Sequence, residues 1–259
     1  MNLQLENKTA LVTGSTKGIG FAIARLLAAE GAKVIVNGRS QESAHAAAQK
    51  IGKSACGIAA DVSTAAGCAE LVRQLPSVDI LVNNAGIFEP KPFTEIPDAD
   101  WERFYQVNVM SGVRLTRAYL PGMLQRNWGR VIFMSSESGV QIPEEMIHYG
   151  MTKAAELALV NGIAQLTRST GVTVNAVLPG PTASEGVTDF VDKLAAGANQ
   201  SPAEFEKEFF RSVRPTSLLQ RFETVDEVAN LVTYLCSPLA SATNGAAMRV
   251  DGGVLRATT

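Results

Sequence analysis

Thr9-Ala10-Leu11-Val12-Thr13-Gly14-Ser15-Thr16-Lys17-Gly18-Ile19-Gly20 reads as a short strand, a glycine-rich turn and the opening of a helix. A helix N-terminus offers an anion unpaired backbone N–H groups and the positive end of the helix dipole. Glycine lets a phosphate approach the main chain closely. The spacing is GxxxGxG rather than the GxGxxG of the general dinucleotide fingerprint, so its position between a strand and a helix carries the argument.

Outward from this stretch, a helix is expected from about residue 19 to 30, ended by Gly31. A second strand follows over 33–37, and Ser40 N-caps a helix to about residue 50. Further strands are expected over 54–60, 78–82, 130–134, 172–178 and 246–250, and helices near 65–75, 100–120 and 149–168. The strands are apolar throughout instead of alternating, as in strands covered on both faces. The expected fold class is α/β: a doubly wound parallel sheet (Rossmann fold) of about seven strands, with helices on both faces, in a single domain over 1–259.

Among 259 residues, 46% are hydrophobic, enough for a sizeable core, and the formal net charge is -2 without charge blocks. This argues against nucleic acid or an anionic membrane as partner. Cys56, Cys68 and Cys236 include no CxxC pair, so neither a disulfide framework nor a zinc site is expected, and no metal. The N-terminal residues lack the pattern of a signal peptide, and no apolar run is long enough to span a bilayer, so a cytoplasmic location is the expectation.

One connection is unusually long. Residues 182–215 exceed a normal loop, and Ser201-Pro202-Ala203-Glu204 reads as an N-cap, an N1 proline and a capping-box glutamate. A helix with Phe205, Phe209 and Phe210 on its apolar side is expected, within a substrate lid.

The end of the second strand, Asn37-Gly38-Arg39-Ser40, has no carboxylate to bind a ribose 2′-hydroxyl. Arg39, with Lys17 from the glycine-rich turn, suits a 2′-phosphate, so NADP(H) is the expected cofactor. Tyr149 and Lys153 stand four residues apart on a helix and share a face. A free tyrosine has a pKa of about 10. A neighbouring ammonium favours the phenolate and makes the pair a usable general acid/base.

Five further features fall in order along the chain: Asn83-Asn84-Ala85-Gly86, Asn108, Ser135-Ser136, Pro179-Gly180 and Asp251-Gly252-Gly253. With the glycine-rich turn and the Tyr149–Lys153 pair, the sequence resembles the short-chain dehydrogenase/reductase (SDR) family over nearly its whole length. Ser136 lies thirteen residues before Tyr149, as that family's catalytic serine does. The resemblance implies that Tyr149 donates and accepts the proton. Lys153 would lower the tyrosine's pKa and hold the nicotinamide ribose, Ser136 would polarise the substrate oxygen, and Asn108 would hold a water linking Lys153 to solvent. It implies cofactor contacts from Gly14, Ser15, Thr16, Lys17, Gly18, Ile19, Gly20, Arg39, Asn83, Asn84, Ala85, Gly86, Tyr149, Lys153, Pro179 and Gly180. Asp61 and Val62 would contact the adenine and Thr182 the carboxamide, with Ser184 as substitute. The implied activity interconverts a carbonyl and a secondary alcohol; alternatives are an enoyl reductase or a non-catalytic nucleotide sensor on the same fold. Enoyl reductases space the tyrosine and lysine more widely, and a sensor typically lacks a catalytic residue.

Substrate contacts are expected from Ser136, Ser138, Tyr149 and Val187, within an apolar pocket to which Val140, Ile142, Met146, Phe190 and Leu194 also contribute. Glu144 and Glu145 are expected to be solvated or near its mouth, and His148 to be a structural or lining residue. The helix after Tyr149 is apolar almost all round, which together with the resemblance implies a homotetramer or homodimer.

Overall fold

A computed structural model describes residues 2–185 and 201–256. Seven parallel strands form the main sheet: β1 (Thr9–Val12), β2 (Lys33–Gly38), β3 (Ala55–Ala59), β4 (Ile80–Asn83), β5 (Gly129–Met134), β6 (Val172–Pro179) and β9 (Ala247–Val250). Their order is β3-β2-β1-β4-β5-β6-β9. A two-stranded ribbon pairs β7 (Thr182–Ala183) with β8 (Glu223–Thr224). The chain steps from β1 outward to β3, then returns to the other side of β1, so the strand order reverses between β1 and β4. In open parallel sheets that reversal opens a crevice beyond the carboxyl ends of the strands.

Alternate side chains of one strand enter different cores. Ala10 and Val12 pack with α1 (Gly18–Ala29) and α2 (Gln41–Ile51), while Leu11 faces α3 (Ala65–Gln74) and α5 (Ser111–Gln125). Ile132 and Met134 of β5 join the first core, Val131 and Phe133 the second. This two-sided burial explains the unbroken apolar runs in the sequence. Gly31, at φ 94°, ends α1, and the Ser40 hydroxyl accepts from Ser43 N to cap α2.

The helix expected over 100–120 is longer and interrupted. α4 (Asp98–Phe104) runs through a π-helical turn, Tyr105–Met110, into α5. A π turn holds an extra residue, which changes the direction of the side chains within it. Asn108 lies in this turn and is buried. α6 (Ile147–Gln165) begins two residues before Tyr149.

α7 (Pro202–Ser212) has the full Ser201–Glu204 capping box, and Phe210 is buried while Phe209 stacks on Phe222. One helix escaped the sequence reading: α8 (Val225–Leu235), which fills the first core through Val228, Ala229 and Val232. Its signal was present as a second capping box, Thr224 with Glu227. Residues 186–200, including Val187, Phe190 and Leu194, lie outside the described residues.

Glu223 knits the later segments together. Its Oε2 accepts from Gly180 N at 3.3 Å, its Oε1 has no partner, and a Cβ on Gly180 would lie 2.7 Å from that oxygen. Burial pushes this carboxyl up to about 8. An unfolded glutamate releases its proton near 4.5, so between that pH and about 8 the folded chain holds the extra proton. Stability therefore falls as pH rises across that window. Glu223→Gln keeps the shape and stays neutral, so it is expected to flatten the decline of Tm between pH 5 and about 8. Calorimetry at several pH values checks this, and equal slopes in both proteins would refute it.

Candidate active site

The crevice begins where Thr13 bolts two turns together. Its Oγ1 accepts from Asn84 N (2.9 Å) and Ala85 N (3.0 Å), while Asn84 Nδ2 donates to Thr13 O (2.9 Å) and Gly14 O (3.1 Å). Gly20 permits this approach: a Cβ there would sit 2.4 Å from Asn84 Nδ2 and 2.6 Å from Gly14 O. Gly14 and Gly18 have φ of 59° and 60°, a left-handed conformation that favours glycine.

Lys17, the extended N-cap residue of α1, makes no side-chain cap bond to the helix. The first N–H groups of α1 are thus left for an outside acceptor, as an anion site requires. The segment after β6 reaches across to this turn: a Cβ on Gly18 would lie 3.4 Å from Ser184 Cβ. Lys17 and Arg39 are exposed. Gly38 admits Thr16, whose Cγ2 lies 2.5 Å from where its Cβ would stand, so the end of β2 packs directly on the glycine-rich turn.

Several expected cofactor residues spend their side chains internally. Ser15 is fully buried, donating to Val12 O (2.6 Å) and accepting from Asn37 N (3.1 Å). The exposed Asp61 accepts from Ser63 N and Oγ, beside the buried Val62. Thr182 donates to Gly180 O (2.9 Å) and, with Pro179 and Gly180, lines the cavity.

Beyond the turns lies a cavity of about 540 Å³. Ser136, Tyr149 and Lys153 line it, together with Ile19, Asn84, Gly86, Phe88, Phe205, Phe209 and Phe222, and the Phe88 ring meets the Tyr149 ring edge-on with centres 6.4 Å apart. Ser136 caps the short turn Glu137–Gly139, its Oγ accepting from Ser138 N at 3.1 Å. Ser135 is turned away and donates to Lys153 O (2.8 Å), so of the two serines only Ser136 has a free role.

Lys153 Nζ donates to Met134 O (2.7 Å) and to both oxygens of Glu156 (3.1 and 3.3 Å), and lies 5.7 Å from the centre of the Tyr149 ring. Burial pushes the Tyr149 phenol above its ordinary value; Lys153 and the bond to Ser136 pull it back, while Glu156 and Glu137 push it further up. The expected lowering by Lys153 is present but does not win. Desolvation outweighs it here, and Glu156 offsets part of the ammonium's charge. Glu156 itself is pushed up to about 7 by burial, against the pull of Lys153. Glu156 was missed in the sequence, where its spacing of three from Lys153 on the same helix was the available signal.

Asn108 clamps the turn after β4: Oδ1 accepts from Ile87 N (2.8 Å), and Nδ2 donates to Ile87 O (3.0 Å) and Thr152 Oγ1 (2.9 Å). A Cβ on Gly86 would stand 3.5 Å from Asn108 Oδ1 and 3.6 Å from Lys153 Nζ, so glycine leaves a cradle beside the ammonium.

A second polar group was missed. Arg214 Nε donates to Glu137 Oε1 (3.1 Å) and its Nη1 to Glu145 Oε1 (3.2 Å). Ser138 Oγ joins at Glu137 Oε1 (3.1 Å), and all four residues line the cavity. Arg214 is far away in sequence, and folding alone brings it here. Glu145 and Met146 reach the cavity as expected. Val140 and Ile142 do not: they are 53% and 41% exposed, because the turn that buries Glu137 and Ser138 directs them to the surface. His148 is fully buried against Phe104, with ring centres 4.1 Å apart, and burial lowers its pKa; it is a core residue.

Unpaired N–H groups at the opening of α1, a left-handed glycine turn and a buried ammonium together fit a dinucleotide. Comparison with known proteins agrees with this architecture. The family model described as short chain dehydrogenase matches residues 8–195. An uncharacterized oxidoreductase of Bacillus subtilis (strain 168), YvaG, is 49% identical over 261 residues, covering 99% of both chains. D-beta-hydroxybutyrate dehydrogenase of Cupriavidus necator is 36% identical, covering 96% of this chain and 98% of its own. The structure of L-sorbose reductase from Gluconobacter frateurii complexed with NADPH and L-sorbose matches with a TM-score of 0.92 at 31% identity, over 99% of this chain and 100% of that one. The parallel sheet, its glycine-rich crevice and these relatives lead to one conclusion: this chain belongs to the short-chain dehydrogenase/reductase family of oxidoreductases.

Proposed function

We propose that this protein is an NADP(H)-dependent oxidoreductase that interconverts a carbonyl and a secondary alcohol, with Tyr149 as general acid/base. The carrying observation is that Ser136, Tyr149 and Lys153 line one cavity with the opening of α1. Backbone N–H groups of Gly18, Ile19 and Gly20 would hold the pyrophosphate, Lys17 and Arg39 a 2′-phosphate, Asp61 and Val62 the adenine, and Thr182 the carboxamide. The nicotinamide coenzyme supplies or accepts the hydride when bound. In reduction, Tyr149 gives its phenolic proton to the substrate oxygen, and Ser136 donates a hydrogen bond as negative charge gathers there. Lys153 keeps positive charge near the phenolic oxygen and so favours its release of the proton. Asn108 holds the Ile87 backbone and Thr152, which fixes the wall beside Lys153.

The cavity wall carries Phe88, Phe205, Phe209 and Phe222, and beside the turn that Ser136 caps it carries two carboxylates, Glu137 and Glu145, against one guanidinium, Arg214. That balance disfavours a substrate bearing its own carboxylate next to the reacting carbon. An uncharged ketone with an apolar body fits better. A second copy of the chain is the proposed oligomeric partner. Supporting it, Tyr105 and Val109 with Leu159 and Ile163 of α6 and Leu166 at its C-cap line an apolar surface depression, and Leu166 is 64% exposed.

Tyr149→Phe is expected to lower kcat by about 10²–10⁴-fold while NADPH binding, followed by fluorescence, changes little; near-normal turnover would remove Tyr149 from the mechanism. Combining Lys17→Ala with Arg39→Ala is expected to cut kcat/KM for NADPH about a hundredfold or more, since two charge-assisted bonds of roughly 1.5–3 kcal/mol each are lost, and to leave kcat/KM for NADH nearly unchanged. A wild-type preference for NADH would overturn the cofactor assignment. Among substrates, a 3-oxo ester is expected to show higher kcat/KM than the 3-oxo acid of equal chain length, and the reverse ranking would refute the charge argument.

A further inference from the structure

Tyr149, Lys153 and Glu156 follow one another along a single helix at spacings of four and three, so all three side chains share a face of α6. Glu156 is 1% exposed, and among the described residues both its carboxylate oxygens have their hydrogen bonds from Lys153 Nζ alone. The third bond of that ammonium goes to Met134 O, at the carboxyl end of β5. The lysine is therefore held from two sides: by a strand end that is fixed in the sheet, and by a charge one turn further along its own helix.

A purely structural reading accounts poorly for this arrangement. A buried carboxylate is expensive unless paired, and an apolar residue of similar size in the same helix is often as stable or more so. Met134 O fixes one bond of the Lys153 ammonium, and the carboxylate supplies the other two and supports its charged form. What the carboxylate adds is negative charge within one turn of the general acid/base.

We propose that Glu156 is a positioning residue of the catalytic site: it holds Lys153 Nζ against the end of β5, and its charge sets how much of the lysine's positive field reaches Tyr149. With Glu156 ionised, the Lys153–Glu156 pair is close to neutral and the phenol keeps its proton. When Glu156 takes up a proton from solvent, the pair carries one positive charge and the phenol releases its proton more readily. The same group thus favours Tyr149 as proton donor at higher pH than an isolated lysine would allow.

The surroundings support this assignment. Burial pushes Glu156 up to about 7, so it changes charge close to neutrality. The elements packed on α6 are β6, the Glu137–Gly139 turn, the Glu144–Met146 turn, α4 and its π-helical extension. β6 carries no titratable group. Glu137 raises Tyr149 along with Glu156, while Lys153 and Ser136 lower it. Asp100 and Arg103 of α4, with Glu89 and Lys91, act on His148. Glu144 and Glu145 stand on the Glu144–Met146 turn, where Glu145 pairs with Arg214, and Tyr105 opens the π-helical extension. Lys153 is the charged group that acts on Glu156.

This inference rests on Tyr149 being the acid/base of the proposed reaction, and its test separates the two. The ultraviolet absorbance of tyrosinate is titrated in the chain without cofactor, and the curve of Tyr149→Phe is subtracted to isolate Tyr149. Glu156→Gln keeps the size of the side chain and an oxygen acceptor for Lys153 while removing the charge. It is expected to move the Tyr149 titration to lower pH by about one unit. The limb of the pH–rate profile for alcohol oxidation that reports phenolate is expected to move in the same direction. Glu156→Asp, which keeps the charge but draws it back from Lys153, is expected to move both by less, with the same sign. If Glu156→Gln does not fold, Glu156→Asp alone remains decisive: its shorter side chain draws charge away from Lys153, so a smaller shift of the same sign is required. An unmoved titration with kcat lowered equally at every pH would overturn the proposal and leave Glu156 a structural residue. A fully active Tyr149→Phe would instead overturn the proposed function, whatever Glu156 does.

Discussion

Thr13 stands where the sheet's strand order reverses, and its hydroxyl accepts from two consecutive N–H groups of the turn after β4. Neighbouring parallel strands diverge there because their connections leave toward opposite faces of the sheet. Without a link, the two turns would be independent loops. Thr13 and Asn84 supply four hydrogen bonds between them. At about 0.5–1.5 kcal/mol each, these do not decide whether the chain folds. They decide that the anion-binding end of α1 and the Asn84–Gly86 turn form one wall. The close contact at Gly20 leaves no room for any larger residue.

The catalytic side is organised around a different economy, that of buried charge. Lys153 and Glu156 are both almost fully buried, and each depends on the other for its charged form. Burial alone would drive the lysine toward neutrality and keep the carboxyl protonated. Their contact resists both tendencies, and Tyr149 sits at the edge of the same field. The tyrosine's properties therefore follow less from the four-residue spacing to Lys153 than from the balance of desolvation, ammonium and carboxylate around it.

A comparable balance shapes the opposite part of the cavity. Arg214 follows α7 and reaches back to the turns that carry Ser136 and precede Tyr149. It ties the aromatic face formed by Phe205 and Phe209 to the polar end of the cavity, so the substrate space is defined by segments from three distant parts of the chain. The aromatic wall suits an apolar body, and the paired charges beside Ser136 leave little net positive charge to attract an anion.

Much of this molecule is legible in its sequence, for reasons that are local. Apolar runs of five or six residues, the glycines of the first turn, Gly31 as a helix stop and the Ser201–Glu204 capping box act within a few residues, so strands, helices and the fold class follow from them, while the order of the strands is set by the tertiary structure. The types and spacings of Ser136, Tyr149 and Lys153 likewise mark three residues that the fold brings to one cavity. Only the tertiary structure decided the rest, because it depends on contacts between residues far apart in the chain or on the direction of a side chain. The π-helical turn that places Asn108 against Ile87, the outward turn of Val140 and Ile142, and the return of Arg214 to Glu137 leave no local pattern. Burial also reverses the sign expected for Tyr149: the sequence placed an ammonium beside it, but the depth of the site and the charge of Glu156 are properties of the fold.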